Sequence, residues 1–330
     1  VGEDIYLVDP LAMDDISALG KVLANDKIVK ILHAGDYDIR SLNRDYDFSF
    51  HNVFDTSLAA ALLGSKKLGL DSILKEYIDA DVTKDKKLQR SDWSLRPLSK
   101  EARKYAADDV RYLFRAMEVM TNKLENLGRI SWLKEECERL QLVKFNPRDE
   151  DIAFLDVKGS KNLDGKALSV LQSLYSVRED EAIGRDRPPF KIVGDSVLVA
   201  IARNPYSNYS EIKGIGMWGR PEMSKRIRKI AAEALDQPPI ERPRRQNTRT
   251  NVMSNKEREK ANARLKELKE WRKTRGEGIG IDPSLLWPTI SLNRLSKDPS
   301  RFKEEISEPQ VRKWQYLEYG KELEGKLACL

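Results

Sequence analysis

Two acids stand where a strand should hand over to a helix: Asp36 and Asp38 in HAGDYDIRSL, residues 33 to 42, directly after the apolar run at 28 to 32. A second group lies in KYAADDVRYL, residues 104 to 113. Steps of three and four from Tyr105 reach Asp109, Tyr112, Leu113, Ala116 and Met120, so Asp109 occupies a stripe that should face the core. Asp108 points about 100° away. A carboxylate on an apolar stripe needs a cation, a donor or a metal to meet it. Hard divalent cations favour carboxylate oxygens, and phosphoryl chemistry uses them to neutralise charge on the reacting phosphate. Local physics also offers plainer roles. Asp36 could cap a helix, Asp38 could sit in the favourable field of its first turn, and Tyr105 and Asp109 could hydrogen-bond to lock a helix onto its neighbour. The residues alone leave both readings open.

The elements that must position these groups alternate. IYLVDP (5 to 10) reads as a short strand stopped by Pro10, DISALGKVLAND (15 to 26) as a helix, and KIVKILHAG (27 to 35) as a strand. A helix follows from about Asp36, then a strand turning into a helix near Asp55-Thr56, a helix at 70 to 78, and a polar lysine-rich loop from Asp79 to Pro97. Ser99 suits the N-cap of a helix running to about Asn126, with Glu101 in its first turn. Strands alternating with helices indicate an α/β layer. Beyond that the chain reads as almost wholly helical.

Three hundred and thirty residues are enough for two or three domains. The most apolar run, Ser57 to Gly64, is far too short to span a bilayer. Cys137 and Cys329 have no metal-ligand spacing, which suits a reducing compartment, and the cytoplasm is the expected location. Residues 1 to 150 hold 24 Lys/Arg against 27 Asp/Glu, whereas residues 151 to 330 hold 35 against 26. A basic half attracts polyanions, with nucleic acid the natural partner, although scattered solvating lysines would give the same balance.

The back half contains a duplication. A shift of 94 positions lays ALSVLQSLYSVR (167 to 178) on ANARLKELKEWR (261 to 272), and continues without a gap through Pro189/Pro283, Leu198/Leu292 and Pro205/Pro299. The period is too long for a solenoid, so a small helical domain is repeated. Residues 236 to 255 between the copies, rich in Pro, Arg and Asn, read as a basic linker.

HAGDYDIRSL, FDTSLAAALLG, RSDWSLRPLS and KYAADDVRYL together resemble ribonuclease D, in the tyrosine-bearing branch of the DEDD 3′-to-5′ exonucleases, over residues 1 to about 140. The repeated segment resembles the HRDC-like helical domain, in two copies. The resemblance implies an α/β ribonuclease H-like exonuclease core at 1 to 140, HRDC-like all-α domains at 160 to 235 and 256 to 328, and the linker between them. It makes Asp38, rather than Asp36, and Asp109 metal ligands, and Tyr105 the residue that orients or activates water. Two divalent ions, Mg²⁺ or Mn²⁺, would lie between the carboxylates, and mononucleotides would leave the 3′ end of single-stranded RNA, with transfer RNA precursors the expected substrate. Asp55 matches a family position that binds no metal, and with Thr56 it reads as structural.

One departure limits the carry-over. The family's first motif is an Asp-x-Glu on the first strand, and no Asp-x-Glu occurs in these 330 residues. IYLVDP matches the third strand, so the core as given lacks its first two. The expectation is that further residues precede Val1, and that the fragment alone is inactive. In the loop before Ser99, Lys84, Lys86, Lys87, Arg90 and Arg96 could hold RNA phosphates, and Trp93 could stack on a base or anchor the loop. The Gly turn at 214 to 220 and the linker arginines, including Arg244, Arg245 and Arg249, could also attract RNA. A DNA exonuclease and a non-catalytic RNA-binding adaptor are the alternatives. The sequence does not speak to self-association.

Overall fold

The computed structural model describes residues 4–82, 85–147, 149–242 and 253–330. Lys84 and the linker residues Arg244, Arg245 and Arg249 lie outside them. The front of the chain runs α1 (Ser17–Leu23), β1 (Lys30–Leu32), α2 (Asp36–Tyr46), β2 (Val53–Asp55), α3 (Thr56–Leu63), α4 (Leu70–Ile78), the single turn α5 (Lys86–Gln89), α6 (Lys100–Arg111), α7 (Leu113–Asn126) and α8 (Ile130–Gln141). The back holds α9 (Gly165–Gly184), α10 (Pro189–Ile192), α11 (Asp195–Arg203) and α12 (Pro221–Asp236), then α13 (Asn255–Ile279), α14 (Pro283–Leu286), α15 (Thr289–Lys297), α16 (Phe302–Glu305) and α17 (Lys313–Cys329).

Among the described residues the sheet has two parallel strands, with Lys30 opposite Val53 and Leu32 opposite Asp55. Residues 5 to 10, read above as a strand, form none, and Tyr6, Leu7 and Val8 are exposed. A strand exists only as a member of a hydrogen-bonded ladder, and nothing described here pairs with this one. The single long helix expected from Ser99 to Asn126 is instead two. Tyr112, with φ −107° and ψ 0°, ends α6 and begins α7. Its half-buried ring packs with Leu70, Leu74, Leu113 and Ala116, so the break lets the buried stripe of α7 follow the core.

The duplication has a structural counterpart. The 94-residue shift carries α10 onto α14 and α11 onto α15 end to end. Arg178 on α9 reaches Asp195, the first residue of α11, at 2.8 Å, while the matching Arg272 on α13 reaches Thr289, the first residue of α15, at 2.9 Å. The same side chain ties the same two helices in both copies.

The chain divides into two compact units, Val1–Phe145 with Asn251–Leu330, and Asn146–Thr250. The second copy therefore does not stand apart from the front of the chain. One core runs from Ala60 and Leu62 on α3 through Trp132 and Leu133 on α8 to Leu268, Trp314 and Leu323. Trp132 stacks on Trp314 at 4.4 Å between ring centres. Glu135 accepts from the backbone N–H groups of Lys313 (2.7 Å) and Trp314 (2.9 Å), capping α17 from another helix. Arg129, buried, donates to the carbonyls of Leu62 (2.8 Å) and Ile279 (2.6 Å). It thereby joins the carbonyl-bearing ends of α3 and α13, where a cation is favoured. Burial pushes its guanidinium below the usual range, but leaves it charged at any ordinary pH.

Gly64 ends α3 with φ +93°, and a Cβ there would lie 2.0 Å from the Gly280 carbonyl oxygen. Gly128 also has a positive φ, +68°, yet nothing lies within 4 Å of its would-be Cβ. Gly128→Ala should therefore cost only the backbone strain, about 1 kcal/mol. Gly64→Ala must also part the two elements, and should cost roughly 3 kcal/mol or more. Urea unfolding of both variants, followed by Trp132 and Trp314 fluorescence, checks the ordering.

Candidate active site

Asp55 organises the ground around the first acid pair. It is fully buried, and its carboxylate accepts from four backbone amides: Ala34 (3.2 Å), Gly35 (2.8 Å), Ser57 (2.8 Å) and Leu58 (3.1 Å). The last two cap α3, and the first two hold the turn that launches α2. Ala34 takes φ +53° in that turn. Thr56, also buried, donates to the Leu32 carbonyl (3.1 Å) and lies 3.0 Å from His33 Nδ1. Since the hydroxyl's one proton goes to Leu32, Nδ1 is the protonated ring nitrogen toward Thr56.

Helix α2 then begins one residue earlier than a capping Asp36 would require. Gly35 is its N-cap, without a side-chain cap bond, and Asp36 is the first helical residue. Asp36 pairs with Arg40 through two contacts, 2.8 and 3.1 Å, at the surface. Asp38, two residues on, is exposed on the first turn. Partial desolvation of its carboxyl, and then the negative charge of Asp55, push it above the usual carboxylate range. Local physics offered plain structural roles for both acids; in the structure Asp36 is paired with Arg40, whereas Asp38 is raised by partial desolvation and by the charge of Asp55.

On α6, Ser99 caps the helix by accepting from Ala102 N at 3.1 Å. Tyr105 and Asp109, four residues apart and both half-buried, share one face. Asp108 turns away as its position demands. Partial desolvation works to raise its carboxyl, but hydrogen bonds from Lys104 and Arg111 outweigh it and hold it low.

The loop before α6 reaches Tyr105 through Trp93, whose ring lies 6.0 Å from that of Tyr105 at 53°. Trp93 is half-buried and donates Nε1–H to the Leu88 carbonyl at 3.1 Å, the posture of an anchor. Lys86, Lys87 and Arg90 are exposed on and after α5, which Asp85 caps. Arg96 is engaged. It donates to both oxygens of Asp9 at 2.6 Å and to the Trp93 carbonyl at 2.7 Å, so any phosphate contact would have to displace Asp9. Asp9 escaped the sequence reading. Its partner is 87 residues away, and no local pattern announces such a pair.

Among the described residues no three His, Cys, Asp or Glu side chains converge where they could hold a metal ion.

Residues 1–125 match the family model for a 3′-5′ exonuclease, and residues 167–233 match that for the HRDC domain. The ribonuclease D of Desulfotalea psychrophila is 29% identical over 297 residues, 89% of this chain and 77% of that protein. The ribonuclease D of Haemophilus influenzae is 32% identical over 219 residues. The crystal structure of Escherichia coli RNase D, an exoribonuclease involved in structured RNA processing, superimposes with a TM-score of 0.67 at 25% identity, covering 99% of this chain and 86% of that one. The chain carries a 3′-5′ exonuclease domain followed by an HRDC domain, and over most of its length it is similar to ribonucleases D. Its fold is an α/β exonuclease core followed in the chain by helical HRDC architecture. This chain spans 54% of the Haemophilus ribonuclease D. The HRDC family model covers the first copy; the second copy shares its helix order and arginine tie. No helix among the described residues is long and apolar enough to cross a membrane.

Asp38's raised carboxyl has a consequence for stability. Its folded-state value lies above the unfolded one, so its contribution is fully present below the unfolded value and is lost as pH rises through the folded value. At neutral pH the charged Asp38 therefore opposes folding. Asp38→Asn should raise the melting temperature slightly at pH 7 and leave it unchanged near pH 3, as read by circular dichroism.

Proposed function

We propose that this protein is the catalytic and RNA-gathering portion of a divalent-metal-dependent 3′-to-5′ exoribonuclease that removes mononucleotides from RNA 3′ ends. What carries the reading is that residues 1–125 match a 3′-5′ exonuclease family while α6 presents Tyr105 and Asp109 on one face, with the Trp93 ring against Tyr105. Asp38 and Asp109 would be ligands of Mg²⁺ or Mn²⁺. When bound, such ions lower the cost of forming hydroxide and of releasing the 3′ oxygen.

The chain's own residues supply the positioning. Asp55 holds the turn that sets Asp38, and Trp93 limits the swing of Tyr105, which would orient the attacking water through its hydroxyl. Lys86, Lys87 and Arg90 would meet backbone phosphates, being exposed cations on the loop that carries Trp93. The family resemblance implies two further carboxylates from an Asp-x-Glu, a motif that residues 1–330 do not contain. Transfer RNA precursors are the substrate class we favour, and the cytoplasm the location.

A second reading, an RNA-binding adaptor without catalysis, is favoured by the incomplete cation site among the described residues. Matched RNA and DNA oligonucleotides incubated with Mg²⁺ or Mn²⁺ test all of this. Residues 1–330 alone should bind RNA and release no mononucleotide, whereas the chain joined to an upstream Asp-x-Glu strand should release nucleoside monophosphates from RNA. In that active form Asp109→Asn should abolish release with less than about a threefold change in binding. Tyr105→Phe should lower kcat by roughly a hundredfold or more with little change in KM. Equal release before and after Asp109→Asn would remove Asp109 from the site, and no release from either form would end the nuclease reading.

A further inference from the structure

The two helical copies have kept their frame and diverged on one face. In the second copy the loop at 277 to 285 is a docking loop. The Ile279 carbonyl receives Arg129, Ile281 is 5% exposed, and Ile279 and Leu285 pack against the core that begins on α3. The turn before α17 docks as well, with Arg139 donating to the Pro309 carbonyl at 2.6 Å and Arg312 meeting Glu136 at 3.0 Å.

The 94-residue shift places Arg185, Arg187 and Lys191 of the first copy on Ile279, Ile281 and Leu285. One buried and two half-buried apolar positions of the second copy are cations in the first. Phe190 takes the place of Ser284 and is 67% exposed, and Ile183, near the end of α9, is 79% exposed. Lys191 Nζ sits 5.5 Å from the Phe190 ring centre. Arg185 Nη1 lies 3.1 Å from Met217 Sδ, which brings this loop against the glycine turn at 214 to 219. Arg185 also faces the largely buried Glu181 at 3.7 Å, so part of its charge is offset. Arg187 and Lys191 are exposed and make no ion pair among the described residues, with Asp186 the acid immediately before Arg187 in the loop.

We propose that this open face of the first copy is a contact surface for single-stranded RNA, in which Arg187 and Lys191 meet successive phosphates and Phe190 stacks on a base between them. The face that in one copy is filled by protein is, in the other, chemically suited to a polyanion with aromatic faces: mobile cations for the backbone and a presented ring for the base. A protein partner would be better served by the apolar residues that the second copy retains. The inference rests on the RNA-directed reading above and adds the surface that such RNA would cross.

The test is fluorescence anisotropy of an end-labelled single-stranded RNA oligonucleotide on the full chain, with EDTA present to prevent cleavage. Arg187→Glu with Lys191→Glu should weaken binding about tenfold or more at 0.1 M salt, and reduce the slope of log Kd on log salt by about one to two units. Phe190→Ala should weaken it about tenfold with the slope unchanged. Lys266→Glu with Lys269→Glu on exposed α13 carries the same change of net charge and should have less than about a threefold effect. Face variants that bind as tightly as the parent, or a control pair that loses as much as the face pair, would overturn the proposal. A parent chain that binds no RNA at all would instead overturn the RNA-directed reading, and this inference with it.

Discussion

A buried carboxylate given four backbone amides is the constraint on which the front of this molecule depends. Asp55 belongs to the end of β2, yet half of its hydrogen bonds go to the turn after β1. Without it, the Ala34 and Gly35 amides would be orphaned beside a left-handed backbone, and the first turn of α2 would have no fixed direction. The charge tolerates burial because donors surround it. That same charge adds to the partial desolvation that raises Asp38, so one residue both holds the turn before α2 and contributes to the electrostatics at Asp38.

Much of this was legible in the sequence because it is local. The helix at 70 to 78, the Ser99 cap and the strand-to-helix turn at Asp55-Thr56 depend on residues within a few places of one another, and the structure has each of them. The duplication could be read because its register runs without a gap. Other features depend on long-range pairing. The strand at 5 to 10 needed a neighbour to exist, and α2 starts at Asp36 itself, with Gly35 in the cap position of a turn that a carboxylate from the next strand holds. The break at Tyr112 answers to the core around α4, which periodicity along one helix cannot see.

The candidate site divides the same way. Tyr105 and Asp109 announced themselves by spacing, and the structure keeps them on a shared face. The engagement of Arg96 with Asp9 had no signature, since a bidentate pair 87 residues apart looks like two unremarkable charges. The role of the second helical copy was equally hidden. Arg129 is one arginine among many in the sequence, and only the folded chain shows it spanning the ends of α3 and α13. The apolar residues at 279, 281 and 285 read as ordinary core, and their meaning emerges when the first copy shows cations at the same places.

The shared core has an implication for how the polypeptide is made. Synthesis runs from the amino end, and the front of the chain emerges long before Trp314 and Leu323, with the whole first helical copy in between. That intervening piece closes a core of its own and can settle early, as an inserted lobe. The nuclease half must wait with Trp132 and the carboxyl end of α3 uncovered until the final helix leaves the ribosome. A nascent chain stalled within its last turns would therefore carry a finished lobe in its middle and a sticky, unclosed surface around it, the kind of species that chaperones retain and proteases clear.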